Sequence, residues 1–316
     1  MKLITGANGF LGRAVLSVLE ERGIPVRGAV RTSVGGHNVA VGDIGPNTDW
    51  LSALEGIDTI IHTAARVHVL DDTADDPLAA FRKVNVAGTR RLAEQAAQLG
   101  VRRLVFISSI KVNGETTGLG KSCVAFTSFD RPRPEDAYAQ SKWEAEQALY
   151  EIAAHTDLEV VVIRPPLVYG PGVKANFLSM MCWLYREAPL PFGSVHNKRS
   201  MIALDNLVDL IVTCVDHPNA ANKIFLASDD DDLSTTELLQ RMARALGKTF
   251  RLFSVPVWLL KVAAMLIGKR DVAQRLLGSL QVDISNTKEV LDWVPPLTVD
   301  QAIVETAEDF LVRNNF

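Results

Sequence analysis

The strongest constraint on this chain is a glycine-rich turn set between a short apolar strand and a helix. The sequence opens with Lys2-Leu-Ile-Thr5 and continues Gly6-Ala-Asn8-Gly9-Phe10-Leu11-Gly12. Apolar residues then recur at helical spacing: Phe10, Leu11, Ala14, Val15, Val18 and Leu19. Glycines at such a turn permit tight backbone and close approach of a ligand. The helix start adds unpaired N–H groups and the positive end of the helix dipole. Strand, turn and helix in this order form a cradle for an anion such as the pyrophosphate of a dinucleotide. The spacing is GxxGxxG rather than GxGxxG, so the turn gains its meaning from its strand–helix setting.

The same alternation continues along the chain. Val26-Arg-Gly-Ala-Val-Arg31 reads as a second strand, Trp50 to Leu54 as a helical turn, and the segment DTIIHTAA as a buried strand. Phe81 to Leu99 reads as one long helix stopped by Gly100, RRLVFISS as a strand, Asp136 to His155 as a helix, and EVVVIRP as a further strand. Alternation of this kind predicts an α/β fold, a Rossmann-type doubly wound parallel sheet with helices on both faces. Right-handed crossovers place the strands' C-terminal ends on one edge, where ligands bind. Past Pro165 the pattern breaks. Pro165, Pro166, Pro171, Pro189 and Pro191 punctuate the chain. Residues 1–165 are therefore expected to form the dinucleotide-binding domain. Residues 166–316 are expected to form mainly a smaller mixed α/β substrate domain, some segments of which, KIFLAS above all, return to the main sheet. The run Asp229 to Asp232 reads as a solvated turn.

Composition narrows the function. The 316 residues are 47% hydrophobic and 22% charged, the balance of a globular protein. A net charge of −4 argues against a nucleic-acid partner, which would call for a basic face. Cys123, Cys182 and Cys214 are far apart and lack metal-ligand spacing, so reduced thiols and no metal site are expected. The N-terminus lacks the features of a signal peptide and no apolar run reaches about 20 residues, so a cytoplasmic protein without a transmembrane segment is expected. The nearest approach is Val255 to Ile267, broken by Lys261. A buried or half-buried helix is the expectation there. A helix in weak contact with a membrane surface is the other reading, and would matter for a lipid-linked substrate.

Two further signals carry chemistry. In Tyr138-Ala-Gln-Ser-Lys142 the tyrosine and lysine are four apart, on one helical face. The ammonium would lower the phenol's pKa from its usual value near ~10, bringing proton exchange within reach of neutral pH. Ser108-Ser109 ends a strand upstream, where a hydroxyl can hydrogen-bond the substrate oxygen that the tyrosine protonates or deprotonates. Ser109, Tyr138 and Lys142 are the candidate catalytic residues.

With these motifs the chain resembles the extended short-chain dehydrogenase/reductases, the NAD-dependent epimerase/dehydratase family of nucleotide-sugar enzymes. The likeness covers GANGFLG, Asp43-Ile44, the HTAA segment ending at Ala64-Ala65, Asn85-Val-Ala-Gly88-Thr89, YAQSK and RPPLVYGPG. It continues through Asn176-Phe177, LPLPFG ending at Gly193, Arg199 in KRSMIALDNLVD, and VDISNTKEVLDW. The resemblance implies that the first turn (Gly6, Asn8, Gly9, Phe10, Leu11, Gly12) binds the cofactor together with Arg31, Asp43, Ile44, Ala64, Ala65, Asn85, Tyr138, Lys142, Pro165 and Leu167. Asp43 and Ile44 would flank the adenine. Pro165 and Leu167 would sit near the nicotinamide. A UDP-sugar would be held by Asn176, Arg199 and Arg275 at its diphosphate and by Phe192 and Gly193 at its base. A homodimer through the Phe81 and Asp136 helices is also implied.

Two departures refine this. The family usually has a carboxylate after the second strand, which accepts the ribose 2′-OH of NAD. Arg31 stands there instead, so NADP(H) is favoured, with NAD(H) retained if Arg31 stacks on adenine. The segment ISSIKVNGE brings Lys111 and Asn113 where many sugar epimerases carry other residues. Lys111 is either an extra cation near the substrate or a loop lysine. The segment resembles bacterial 4-ketoreductases of O-antigen pathways, which form UDP-N-acetylquinovosamine from UDP-4-keto-6-deoxy-N-acetylglucosamine. Reduction of such a C4 ketone for lipopolysaccharide biosynthesis is therefore the leading expectation. A UDP-hexose or lipid-linked hexosamine 4-epimerase with tightly bound NAD is the alternative, and a non-catalytic cofactor sensor a remote one. The related dehydratases carry an Asp–Glu pair where this chain has Ile110-Lys111, which argues against dehydration.

Overall fold

A computed structural model describes residues 1–316 except 33–34, 36–37, 68–75, 119–123, 250, 269 and 315–316, and the side chains at 270 and 271. Cys123 lies outside the described residues; Cys182 and Cys214 are free thiols.

The sheet is built from β1 (Lys2–Thr5), β2 (Val26–Val30), β3 (Asn38–Ala40), β4 (Thr59–His62), β5 (Arg103–Ile107), β6 (Glu159–Arg164) and β9 (Lys223–Leu226). Their order is β3-β2-β1-β4-β5-β6-β9, with every pair parallel. From β1 the chain first builds outward through β2 and β3. It then returns to the other side of β1 with β4. The reversal leaves a crevice beyond the C-terminal ends of β1 and β4, the position where open α/β sheets bind ligands. Thr5 and His62 are paired across that edge.

Strand alternation sends residues to two cores. Ile4, Ile61 and Val105 pack with Val15 and Leu19 of α1 (Phe10–Glu21) and Leu207 and Ile211 of α7 (Leu204–Asp216). Leu291 of α11 (Ser285–Leu291) belongs to the same core. Leu3, Ile60 and Leu104 pack on the opposite face with Trp50 and with Leu54 of α2 (Leu51–Leu54). Leu92 of α4 (Thr89–Gln98) and Leu149 of α5 (Ala137–Ala153) complete that layer. A third core joins Tyr169 of β7 (Leu167–Tyr169), Phe177 and Met181 of α6 (Ala175–Tyr185), and Leu239 of α8 (Thr235–Ala245). Ile303 and Phe310 of α12 (Val299–Arg313) close it. A two-stranded sheet pairs β7 with β8 (Met201–Ala203).

Two expectations need correction. The helix anticipated over Phe81 to Leu99 begins earlier, at α3 (Pro77–Phe81) capped by Asp76, and passes through a π-helical segment, Arg82–Gly88, before α4. Gly88 lets the end of this segment pack against the loop after β3: a Cβ there would lie 2.5 Å from Ile44 Cγ2. Asp229 is not solvated. It is buried and accepts hydrogen bonds from the Tyr169 hydroxyl, the Ala203 amide and the Asn206 amide. The segment over Val255 to Ile267 forms α9 (Val257–Leu266), half-buried along Val257, Leu260 and Ala264 as one of the two expectations had it, with no residue fully buried although its sequence is almost wholly apolar.

One polar cluster pins α5 to the sheet. Glu146, fully buried, meets the Arg164 guanidinium from β6 at 2.5 Å and accepts from the Ser108 hydroxyl at 2.5 Å. Arg164 also donates to the Asn113 side-chain oxygen at 2.9 Å. Cutting one partner from a buried ion pair strands the other charge. Glu146→Ala should therefore lose about 3–5 kcal/mol in a urea unfolding curve, more than a joint Glu146→Leu/Arg164→Met replacement.

Candidate active site

The glycine turn lies directly against the end of β4. Gly6 has φ +68°, and a Cβ on it would fall 2.9 Å from Ala64 Cα. A Cβ on Gly12 would fall 2.2 Å from the Gly6 carbonyl oxygen, so the first helical turn can close down on the loop only with glycine there. Gly9 caps α1 without any side-chain hydrogen bond, and both Asn8 and Gly9 are exposed. The free amides at this helix start are therefore available to an anion. Phe10 and Leu11 are half-buried behind them. The Thr63 hydroxyl donates to the Thr5 carbonyl at 2.6 Å, and the Ala64 amide donates to the Thr5 hydroxyl at 3.3 Å, which fixes Ala64-Ala65 beside the turn. This cradle fits a dinucleotide's diphosphate.

Arg31, at the end of β2, makes an exposed ion pair of 2.8 Å with Asp43. Asn85, in the π-helical segment, spends its amide on structure. Its oxygen accepts from the Arg66 amide at 2.8 Å, and its nitrogen donates to the Arg66 carbonyl and the Ser141 hydroxyl, each at 3.0 Å. It thereby ties the loop after β4 to α5. Below this loop His62 is held between the Thr5 and Thr89 hydroxyls at 2.6 and 2.9 Å. Burial, helped by the Lys142 charge, pushes its pKa down to about 3, so the ring is neutral.

The α5 helix begins at Asp136, whose side chain accepts from the Ala139 amide at 2.6 Å. Tyr138 sits in the first turn, its ring edge-on to Phe81 at 6.0 Å. One turn on, Lys142 is buried. Its ammonium donates to the Ile107 carbonyl at the end of β5 at 2.8 Å and lies 4.5 Å over the Phe106 ring. Burial pushes the Lys142 pKa down to about 7, against the opposing effect of the Glu146 charge. The Tyr138 phenol is raised, not lowered: burial acts first and the Asp136 carboxylate adds to it. The expectation that Lys142 depresses the phenol is thus corrected for this state of the protein.

Ser109 caps a short 3₁₀ turn, Ile110–Val112, and accepts from the Lys111 amide at 3.3 Å. The Pro165 carbonyl accepts from the Ile110 amide at 3.0 Å, so the end of β6 lies beside this turn. Leu167 is exposed in β7. Of the two serines, Ser108 is taken by Glu146. Lys111 is neither a free cation nor an idle loop residue. It bonds Asp136 at 2.5 Å and Glu115 at 2.7 Å. Lys111 follows Ser109 by two positions and Asp136 precedes Tyr138 by two, so this ion pair clamps the two segments together.

The residues that the resemblance assigns to the substrate lie on the C-terminal half. Asn176 is exposed in the first turn of α6. The Phe192 carbonyl accepts from the Thr236 hydroxyl at 2.6 Å, and Gly193 donates to the Phe253 carbonyl at 3.1 Å. A Cβ on Gly193 would lie 3.0 Å from that carbonyl carbon. Arg199 donates to the Gly278 carbonyl at 3.2 Å. Burial lowers its pKa, Arg275 of α10 (Arg270–Leu277) lowers it further, and Glu115 opposes both. Arg199 and Arg275 are thus close enough for each charge to disfavour the other.

Residues 2–227 match the NAD dependent epimerase/dehydratase family. Over 99% of this chain and 96% of the relative, the sequence is 49% identical to a UDP-glucose 4-epimerase of Vibrio cholerae. It is 26% identical to the N-acetyl-alpha-D-glucosaminyl-diphospho-ditrans,octacis-undecaprenol 4-epimerase of Escherichia coli O157:H7, over 80% of this chain and 75% of that one. The fold is similar to a UDP-glucuronic acid 4-epimerase from Bacillus cereus in complex with NAD, with a TM-score of 0.80, 18% identity and 99% of each chain covered.

The chain belongs to the NAD-dependent epimerase/dehydratase family.

The family's motifs account for the turn and for Tyr138 and Lys142. Arg164 opens the RPPLVYGPG motif and Asn113 lies in ISSIKVNGE, but neither stretch says that the two side chains meet, and Glu146 lies outside the quoted motifs. The trace Glu146 leaves in the sequence is its place one further turn along the Tyr138–Lys142 face.

Lys111→Met keeps the aliphatic stem and removes the clamp. It should lower kcat/KM by about tenfold, mainly through kcat, since small misplacements of reacting groups are costly. The thermal midpoint and the amount of bound dinucleotide should change little. Steady-state kinetics alongside a melting curve checks this.

Proposed function

We propose that this protein is a UDP-hexose 4-epimerase that inverts C4 of the sugar using one retained NAD. The observation that carries the proposal is the 49% identity, over 99% of the chain, to the Vibrio cholerae UDP-glucose 4-epimerase. The features that pointed to a ketoreductase carry less weight beside the structure. Lys111 is engaged by Asp136 and Glu115, and Asn113 accepts from Arg164 and donates to the Thr127 carbonyl at 2.9 Å. Both are explained by packing, without reference to a 4-keto substrate.

In this reading the glycine turn, Ala64 and Ala65 hold the dinucleotide. When bound, it supplies a reversible hydride acceptor at the sugar carbon. Tyr138 takes the proton of the C4 hydroxyl as that carbon is oxidised, and returns it when the ketone is reduced from the other face. Ser109 donates a hydrogen bond to the same oxygen, favouring the negative charge that develops there. Lys142, whose buried ammonium stands one turn along α5 from Tyr138, supplies the positive charge that favours the tyrosinate needed before the first proton transfer and regenerated after the second. Arg199 and Arg275 hold the diphosphate, leaving the hexose free to turn between half-reactions.

The cofactor reading shifts with Arg31. A lone arginine favours NADP, but here Asp43 answers that charge and would repel a 2′-phosphate. We therefore assign NAD. Asp43→Asn should raise affinity for NADP⁺ by about threefold to fivefold while leaving NAD⁺ binding within about twofold, the order expected for an exposed charge pair. Titration of the cofactor-stripped protein with both dinucleotides measures this.

The decisive assay supplies UDP-glucose or UDP-galactose with no added cofactor and follows the C4 epimer by NMR. Interconversion is expected, with a fall of about 10²–10⁴-fold in kcat for Tyr138→Phe. If neither sugar converts, yet NADH or NADPH is consumed on adding a UDP-4-keto-6-deoxy-amino sugar, the ketoreductase reading replaces this one.

A further inference from the structure

The α9 helix is anomalous. Ten residues, VWLLKVAAML, form a helix with nothing buried. Val257, Leu260 and Ala264, at helical spacing, are its half-buried side. The opposite arc carries Trp258, Leu259, Val262, Met265 and Leu266, with Trp258 64% and Leu266 81% exposed. Ile267 and Phe253 extend the patch at either end. A helix apolar on all sides is ordinarily enclosed, and an outward apolar arc marks a surface that something covers.

Charge identifies the cover. Between 244 and 275 the sequence carries Arg244, Lys248, Arg251, Lys261, Lys269, Arg270 and Arg275 against a single acid, Asp271. This basic stretch sits in a chain whose net charge is −4. Arg244, Arg251 and Lys261 are exposed, and none of Arg244, Lys248, Arg251, Lys261 and Arg275 pairs with a carboxylate among the described residues. A second copy docked face to face would set this basic collar against itself. An anionic lipid surface satisfies both the collar and the apolar arc, with Trp258 suited to the interface. At about 1.5 Å per residue the helix is far too short to span a bilayer, so it would lie in the surface plane.

We propose that α9 and its basic collar dock this protein on an anionic membrane surface. The patch adjoins the substrate side of the site. Phe253, at its edge, accepts from Gly193, and the Ser194 hydroxyl donates to the Val255 carbonyl at 3.1 Å. The next helix, α10, brings Arg275 toward Arg199. Docking would hold the mouth of the diphosphate site at the headgroup level. The proposal stands apart from the epimerase assignment, because it concerns where the enzyme sits and not what it does to C4.

The test is flotation of the full chain with vesicles of phosphatidylglycerol and phosphatidylethanolamine, against vesicles of phosphatidylcholine alone. The protein should float with the anionic vesicles at low salt and stay behind with the neutral ones. The bound fraction should fall severalfold in about 0.5 M salt, where charge attraction is screened. Trp258→Glu/Leu266→Glu should abolish flotation while keeping the thermal midpoint and the turnover of a soluble UDP-sugar. Separately, Arg251→Glu/Lys261→Glu should weaken it. The proposal is overturned if the wild type does not float with anionic vesicles, or if the Trp258/Leu266 variant floats equally well. It is also overturned if that variant's only effect is to convert a dimer to monomer in sedimentation velocity.

Discussion

The buried contact between Glu146 and Arg164 organises this molecule. A carboxylate and a guanidinium taken wholly out of water require each other and a full set of hydrogen bonds. Here the set is supplied by Ser108 at the end of β5 and by Asn113 beyond it. The pair therefore fixes one face of α5 against two neighbouring strands. Lys142 and Tyr138 stand on that same face, one and two turns nearer the N-terminus. Their positions beside the ends of β5 and β6 follow from where Glu146 is anchored.

A second charge pair controls the other end of the helix. Lys111 and Asp136 join the segment bearing Ser109 to the segment bearing Tyr138. Between the two ion pairs α5 is held at its start and at its middle, and the segments bearing Ser109 and Tyr138 are fixed to one another. Lys142 gains its lowered pKa from the same enclosure: the ammonium rests on a backbone carbonyl and an aromatic ring, not on a carboxylate.

Much of the fold was legible because it rests on local periodicity. The alternation of buried strands with helices, and the glycines between β1 and α1, depend on neighbours in sequence. The seventh strand was also visible, as KIFLAS, since a short apolar run demands cover. What was not legible depends on partners distant in the chain. Asp229 read as solvent-facing because nothing near it in sequence hints at Tyr169 or Asn206. Lys111 could not be assigned until Asp136 was beside it. Arg31 reads in the sequence as an isolated cation, and its ion pair with Asp43 is seen only in the structure. The α9 segment was only half legible: its apolar sequence implies cover, and only the assembled structure shows that Val257, Leu260 and Ala264 turn toward the protein while Trp258, Leu259, Val262, Met265 and Leu266 stay exposed.

The π-helical segment carries a mechanical meaning of its own. Its widened turn lets Asn85 reach inward to Arg66 and Ser141 while Gly88 packs under Ile44. A regular helix would rotate one of these residues away from its target. A single stretch of backbone thus grips the loop after β4 and the loop after β3. The two banks of the crevice are yoked, and a shift of one bank drags the other with it.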